Sequence, residues 1–248
     1  MKKSTLATCF VATIASLSLS MAGVGGASAA TVTGWTGAAG PNGDNLAFLT
    51  NSTIINSPTL TANSKIWTAF AQTVPDGEMG VKPRLFKSGA LCEAVDYQYN
   101  PYPAAEWLVG TSATCGSGSY NSHGFVSVWN GTNAYREAVT FPSNPLNWTA
   151  PTARTAKAQS TVTDSDRVGG VNAKGEKFGS AATEGSEDLD LILAIADNGN
   201  VGYVKASDLN GPSATDPTSA LKAKPSKRVV PTYAKDGLTV TGEFTVNS

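Results

Sequence analysis

From residue 31 to about 150 the chain alternates apolar and polar positions in short runs, and no 3.6-residue period there outlasts two turns. Ile66, Thr68 and Phe70 alternate with Trp67, Ala69 and Ala71, the period of a half-buried strand. Pro75-Asp76-Gly77 then reads as a turn, and Val81 to Lys87 as extended chain whose Pro83 points to a sheet edge. After Lys87-Ser88-Gly89 comes a strand carrying Cys92. Phe125 to Trp129 is rich in β-formers, Asn130-Gly131 predicts a two-residue hairpin turn, and Tyr135 to Phe141 is the return strand. Residues 31–64, rich in Thr, Asn, Gly and Ser with apolar patches such as Leu46 to Leu49, read as short strands and loops.

The pattern changes further on. Leu191 to Ala196 is a continuous apolar run, Asp197 to Asn200 a dense turn, and Val201 to Lys205 a returning strand, which predicts a hairpin. Asp216-Pro217 is an N-cap followed by Pro at the first helical position, so a short helix is expected over Pro217 to Lys222. Val229 to Tyr233 and Leu238 to Val246 flank Lys235-Asp236-Gly237 as a second hairpin.

Composition divides the chain at the same place. Residues 31–151 hold all five Trp and 12 charged groups, whereas 152–248 hold no Trp and 23 charged groups. The expected organisation is a β-rich module over 31–150, a linker over 151–165 and a small β-rich module over 166–248. The fold class is mainly β: a disulfide-linked, sandwich-like or barrel-like N-terminal module, then a hairpin-rich module with one short helix.

The first thirty residues set the destination. Lys2 and Lys3, the apolar run Leu6 to Val24 and the small-residue site Ala27-Ser28-Ala29 form a secretory signal peptide. The run is too short and too polar for a stable membrane anchor. Losing Lys2 and Lys3 leaves 16 basic against 19 acidic residues, too balanced for binding to nucleic acid through bulk charge. Two of the three cysteines lie beyond the signal, and in an exported protein Cys92 and Cys115 are expected to form one disulfide.

Candidate chemistry is sparse. His123 is the lone histidine, so a Ser-His-Asp triad would have to use it, with Ser119 or Ser122 as nucleophile and Asp96 as orienter; no nucleophile elbow surrounds them. A Cys/His metal site lacks ligands, and the acidic run Glu184, Glu187, Asp188, Asp190 does not match a calcium loop. No phosphate-binding glycine loop is present, and neither metal nor cofactor is expected. Glu93, Asp96 and Glu106 lie near Tyr97, Tyr99, Tyr102 and Trp107, the setting of a glycosidase carboxylate pair on a sugar-stacking platform, or else of a solvated Tyr/Pro-rich loop.

The phrases Gly175-Glu176-Lys177-Phe178-Gly179-Ser180, Asp188-Leu189-Asp190-Leu191-Ile192, Gly199 to Leu209, and Val230-Pro231-Thr232-Tyr233-Ala234-Lys235-Asp236-Gly237-Leu238-Thr239-Val240, with Pro217 opening a helix between the last two, occur in this order. Together, over about 75 residues, they resemble a small extracytoplasmic module of Gram-positive bacteria. That module is found in secreted proteins of unknown function and at the tail of membrane metallopeptidases related to beta-lactam sensors. The resemblance implies a location and a shape but no reaction, and the peptidase motif H-E-x-x-H is absent. Gly116-Ser117-Gly118-Ser119-Tyr120-Asn121-Ser122-His123-Gly124, then Trp129-Asn130-Gly131 and Tyr135, more loosely resembles secreted Gram-positive proteins of unknown function. The leading expectation is therefore a secreted, non-enzymatic protein that binds an extracellular partner, a cell-wall glycan or a protein. Its binding surface would be Tyr120, His123, Trp129 and Tyr135, rings that a strand could equally bury. The alternatives are a carbohydrate-active enzyme and a secreted antagonistic factor.

Overall fold

Thr-rich and β-branched runs, cut by turns, give the chain 46% strand and 7% helix in a computed structural model. Residues 29–150, 161–186, 188–211, 214–223 and 226–248 are described. The expected signal peptide, apart from Ala29 and Ala30, and linker residues 151–160 lie outside them. Along the chain run β1 (Thr31–Thr33), β2 (Gly37–Pro41), β3 (Ala47–Ile55), β4 (Thr61–Thr68), β5 (Met79–Lys82), β6 (Arg84–Lys87), β7 (Ala90–Val95), β8 (Gln98–Tyr99) and β9 (Glu106–Gly110). There follow β10 (Gly118–Ser122), β11 (Phe125–Trp129), β12 (Tyr135–Val139), β13 (Leu146–Trp148), α1 (Asp164–Arg167), β14 (Gly170–Val171) and β15 (Lys177–Gly179). The chain continues through β16 (Leu191–Ile195), β17 (Val201–Lys205), α2 (Ala206–Leu209), α3 (Pro217–Lys222), β18 (Arg228–Tyr233) and β19 (Val240–Asn247). Among the described residues, no helix is long and apolar enough to cross a membrane.

The expected sandwich is present. One sheet runs β1-β3-β4-β9, with β2 also on β3, and a second runs β12-β11-β5-β8. Between them pack Phe48, Ile66 and Val109 from the first sheet and Met79, Val81, Val126 and Val128 from the second. The first sheet also covers β6, β7 and β10, where Ile54 and Ala62 meet Leu85, Cys92 and Tyr120. The Cys92–Cys115 disulfide lies in this second core.

Four local expectations need correction. Residues 31–64 hold long strands rather than short pieces, because β3 and β4 bury hydroxyls where apolar residues were sought: Thr50, Ser52 and Ser64 are fully buried. They pair internally, Thr50 Oγ1 donating to Lys65 O at 2.8 Å and Ser52 bonding to Thr140. The strand expected to reach Ala71 ends at Thr68, and Ala71, with φ of 58°, turns the chain and leaves Phe70 exposed. Pro83 marks no edge: it separates β5, flanked by β11 and β8, from β6, flanked by β10 and β7. Lacking an N–H, it sits where the chain leaves one sheet for another. The hairpin after Trp129 is also wider than two residues. Trp129 pairs with Tyr135, and the Asn130 carboxamide oxygen accepts from the backbone of Thr132, Asn133 and Ala134.

The later segments follow the pattern. β16 and β17 form the expected hairpin, as do β18 and β19. Asp216 caps α3 by accepting from Ser219 N at 2.8 Å, with Pro217 in the first turn. These strands do not stand apart from the first segment. β19 runs parallel to β7 and β16 also touches β7, so the pairings β16-β17-β18-β19-β7 close into a partly open ring. Phe86, Leu91, Ala94, Ile192, Ala194, Val204, Val230, Phe244 and Val246 belong to a single core there.

Candidate functional site

Where the β5–β8 face of the sandwich meets α3 and the segments around 210 and 226, a cleft of about 580 Å³ opens. α3 can stand close because Gly77 has no side chain: a Cβ there would lie 2.7 Å from the Pro217 carbonyl oxygen. Tyr97, Tyr99 and Trp107 form the aromatic wall of the cleft, with Leu221 among the other apolar lining residues. Gly80, opposite Tyr99 in the ladder, lets both tyrosines lie over β5, since a Cβ would come within 2.8 Å of Tyr99 and 3.1 Å of Tyr97. Their centroids are 5.9 Å apart, Tyr99 lies 5.0 Å from Tyr135, and Tyr135 lies 5.3 Å from Trp129. Trp107 is fixed by its indole N–H, which donates to Gln98 O at 3.0 Å.

Charged groups form the other walls. The Arg228 guanidinium grips Asp96 with two bonds, at 2.7 and 2.8 Å, and donates to Asp208 O at 2.9 Å. The hydrogen bonds that Arg228 donates to Asp96 raise the Arg228 pKa and hold the guanidinium charged. The Tyr97 hydroxyl donates to Glu137 at 2.7 Å, and burial drives its pKa well above the ordinary tyrosine value. Lys82, the last residue of β5, is 4% exposed. Its ammonium donates to Asn210 Oδ1 at 2.9 Å and Leu209 O at 3.3 Å and lies 5.7 Å from the Tyr97 ring centre. Burial lowers its pKa to about 8; the Arg84 charge adds to this, while Glu137 and Asp96 oppose it.

Lys82 therefore has a signature in stability. Its folded pKa lies below the unfolded value, so between about pH 8 and 10 the unfolded chain binds more protons and stability rises with pH. The expected gain over that window is on the order of 2 kcal/mol. Urea midpoints measured at pH 7.5 and 9.5 should show it in the natural chain and not in Lys82→Met.

The residues singled out by sequence are dispersed. Tyr120 is fully buried, its ring edge-on to Trp148 at 6.2 Å and its hydroxyl accepting from Cys115 N. His123 is fully buried with Nδ1 3.1 Å from Ala181 O. Trp129 and Tyr135 are half-buried and in contact, so the four rings share no single surface. Ser122 Oγ donates to Asn63 O. Of Glu93, Asp96 and Glu106, only Asp96 lines the cleft. Glu93 is buried among N–H donors of Ser112, Ala113 and Asn247, and exposed Glu106 pairs with Lys65 at 2.6 Å. Among the described residues no three His, Cys, Asp or Glu side chains gather to hold a metal ion; Glu187 lies outside them.

The sequence did signal the aromatic wall, through the Tyr97 to Trp107 cluster. Lys82, Glu137, Asn210 and Arg228 gave no signal, because only the topology brings them to it. Comparison with family models, curated proteins and solved structures finds no match for this chain.

Proposed function

We propose that this is a secreted, non-enzymatic binding protein whose cleft takes a short glycan. The carrying observation is the joining of Tyr97, Tyr99 and Trp107 with convergent polar groups in one cavity of oligosaccharide size. Sugar rings offer flat C–H faces that pack on aromatic rings, and hydroxyl edges that need donors and acceptors beside them. Export is supported by the basic start, apolar run and Ala27-Ser28-Ala29 site, and the Cys92–Cys115 disulfide is compatible with an oxidising exterior.

Binding is preferred to hydrolysis because the cleft carboxylates are engaged. Both Asp96 oxygens accept from Arg228, and Glu137 accepts from Tyr97. A glycosidase needs one carboxyl free to protonate the leaving group and one to attack or activate water. A hydrolase reading survives only for Asp96 with Glu137, which both line the cavity; polysaccharide turnover lost in Glu137→Gln would favour it.

The test is titration of the mature protein with soluble oligosaccharides, alongside retention on purified cell wall. Trp107→Ala and Tyr99→Ala should each weaken binding about tenfold or more, an effect of roughly 1.4 kcal/mol, with thermal melting confirming the fold. Failure to bind any glycan or cell-wall preparation would sink the proposal.

A further inference from the structure

The charges of the cleft specify its ligand further. Around the Lys82 ammonium stand Arg84 from the adjoining strand, Arg228, Asp96, Glu137 and the Tyr97 phenol. Asp96 is spoken for by the bidentate Arg228, and exposed Glu137 by the Tyr97 hydroxyl. Arg84 lies beneath, its guanidinium 4.2 Å from the Phe125 ring centre and its Nε donating to His123 O. Lys82 is the most buried of the charged cleft-lining groups, yet its two hydrogen-bond partners are a backbone carbonyl and a side-chain amide, both neutral. Of its three N–H groups, the third has no oxygen acceptor among the described residues. A desolvated ammonium without a hydrogen-bonded counter-ion is costly, and a ligand carboxylate would remove that cost.

We infer, granting the glycan reading, that the cleft selects a sugar bearing one carboxylate, which accepts a hydrogen bond from Lys82. Lys82 is then the specificity residue of the site. The acids flanking it oppose a polyanion and leave the ammonium as the one place where a single carboxylate gains. A neutral sugar of the same size covers the ammonium without compensating it.

The inference fixes a pH dependence. The free ammonium has its pKa near 8 because of burial, and a bound carboxylate raises that value. Affinity for the acidic sugar is therefore full below about pH 8 and falls as pH rises through the free value. Arg84 and Arg228 remain charged throughout, and burial lifts the Tyr97 phenol above this window.

Two matched pairs of probes test it by calorimetry on the mature protein at pH 6.5 and 9.5. One is cellobiouronic acid, which carries a single uronate, against cellobiose, and the other is N-acetylglucosaminyl-N-acetylmuramic acid against N,N′-diacetylchitobiose. At pH 6.5 the acidic member of at least one pair should bind about tenfold or more tighter. The responding pair tells a uronic acid from a lactyl ether. The preference should shrink by pH 9.5, disappear in Lys82→Met, and lose its pH dependence in Lys82→Arg. If Lys82→Met does not fold, the pH profile of the natural chain decides. Equal affinity for acidic and neutral partners, or a preference flat across this range, overturns the inference and leaves the glycan reading standing. No binding by any of the four probes or by cell wall overturns both.

Discussion

Glu93→Ala is expected to cost about 3–5 kcal/mol of stability, enough to leave a substantial unfolded fraction in a chain of ordinary stability. The carboxylate is 1% exposed on β7. It accepts from Ser112 N at 3.0 Å, Ala113 N at 2.6 Å, Ser112 Oγ at 3.3 Å and Asn247 Nδ2 at 2.7 Å. It thereby fastens the loop after β9 and the end of β19 to one strand. Alanine would leave two backbone N–H groups without acceptors, and each buried orphan costs about 1–3 kcal/mol. Glu93→Gln should fall between the natural chain and Ala, since one amide oxygen still accepts while the NH₂ group faces other donors. Urea unfolding followed by near-ultraviolet circular dichroism measures the loss. A deficit under about 1 kcal/mol for the Ala variant would mean that the loop finds other acceptors. Any activity lost in a Glu93 variant would thus have to be separated from unfolding before it bore on catalysis.

Removing the disulfide should be nearly as severe. Cys92→Ala with Cys115→Ala opens a bridge of sequence separation 23. The chain-entropy model assigns such a loop about 3 kcal/mol. For a chain of this length that is a fall in melting temperature of roughly 6–12 °C. The bridge anchors the same loop that Glu93 clamps, so the two losses should not add. A triple variant is expected to fall short of the sum, because once the loop is loose there is less left to lose at Ser112 and Ala113. An unchanged melting temperature on removing both cysteines would show that the hydrogen bonds alone hold the loop.

Much of the fold was legible because local chemistry and final environment agree. The run Leu191 to Ile195 is buried at every position, and Asp216-Pro217 caps the helix it announces. Legibility failed where burial and polarity part company. Ser52 and Ser64 are core residues whose hydroxyls find partners inside, so β3 and β4 do not look like strands with an apolar face. Tyr120 and His123 carry polar tips that serve a surface or a core equally well, and the topology put both inside. Nothing in the residues around Lys82 and Glu137 sets them apart from other charged positions, and Arg228 comes from more than a hundred residues beyond Asp96. No pattern in sequence spacing announces a cleft assembled in this way.

The ring that ends on β7 has a kinetic consequence. Leu91 pairs with Ala194 and Ala94 with Val246, contacts separated by 103 and 152 positions (194 − 91 and 246 − 94). The hairpins β16–β17 and β18–β19 are local and can nucleate early, but one edge of β7 must wait for strands synthesised long after it. Pairings of such separation pay their loop-closure entropy before any contact rewards it, which makes folding slow. Until those strands dock, the waiting edge is an open template for pairing with other chains, and the vulnerable species is the half-emerged polypeptide rather than the finished protein.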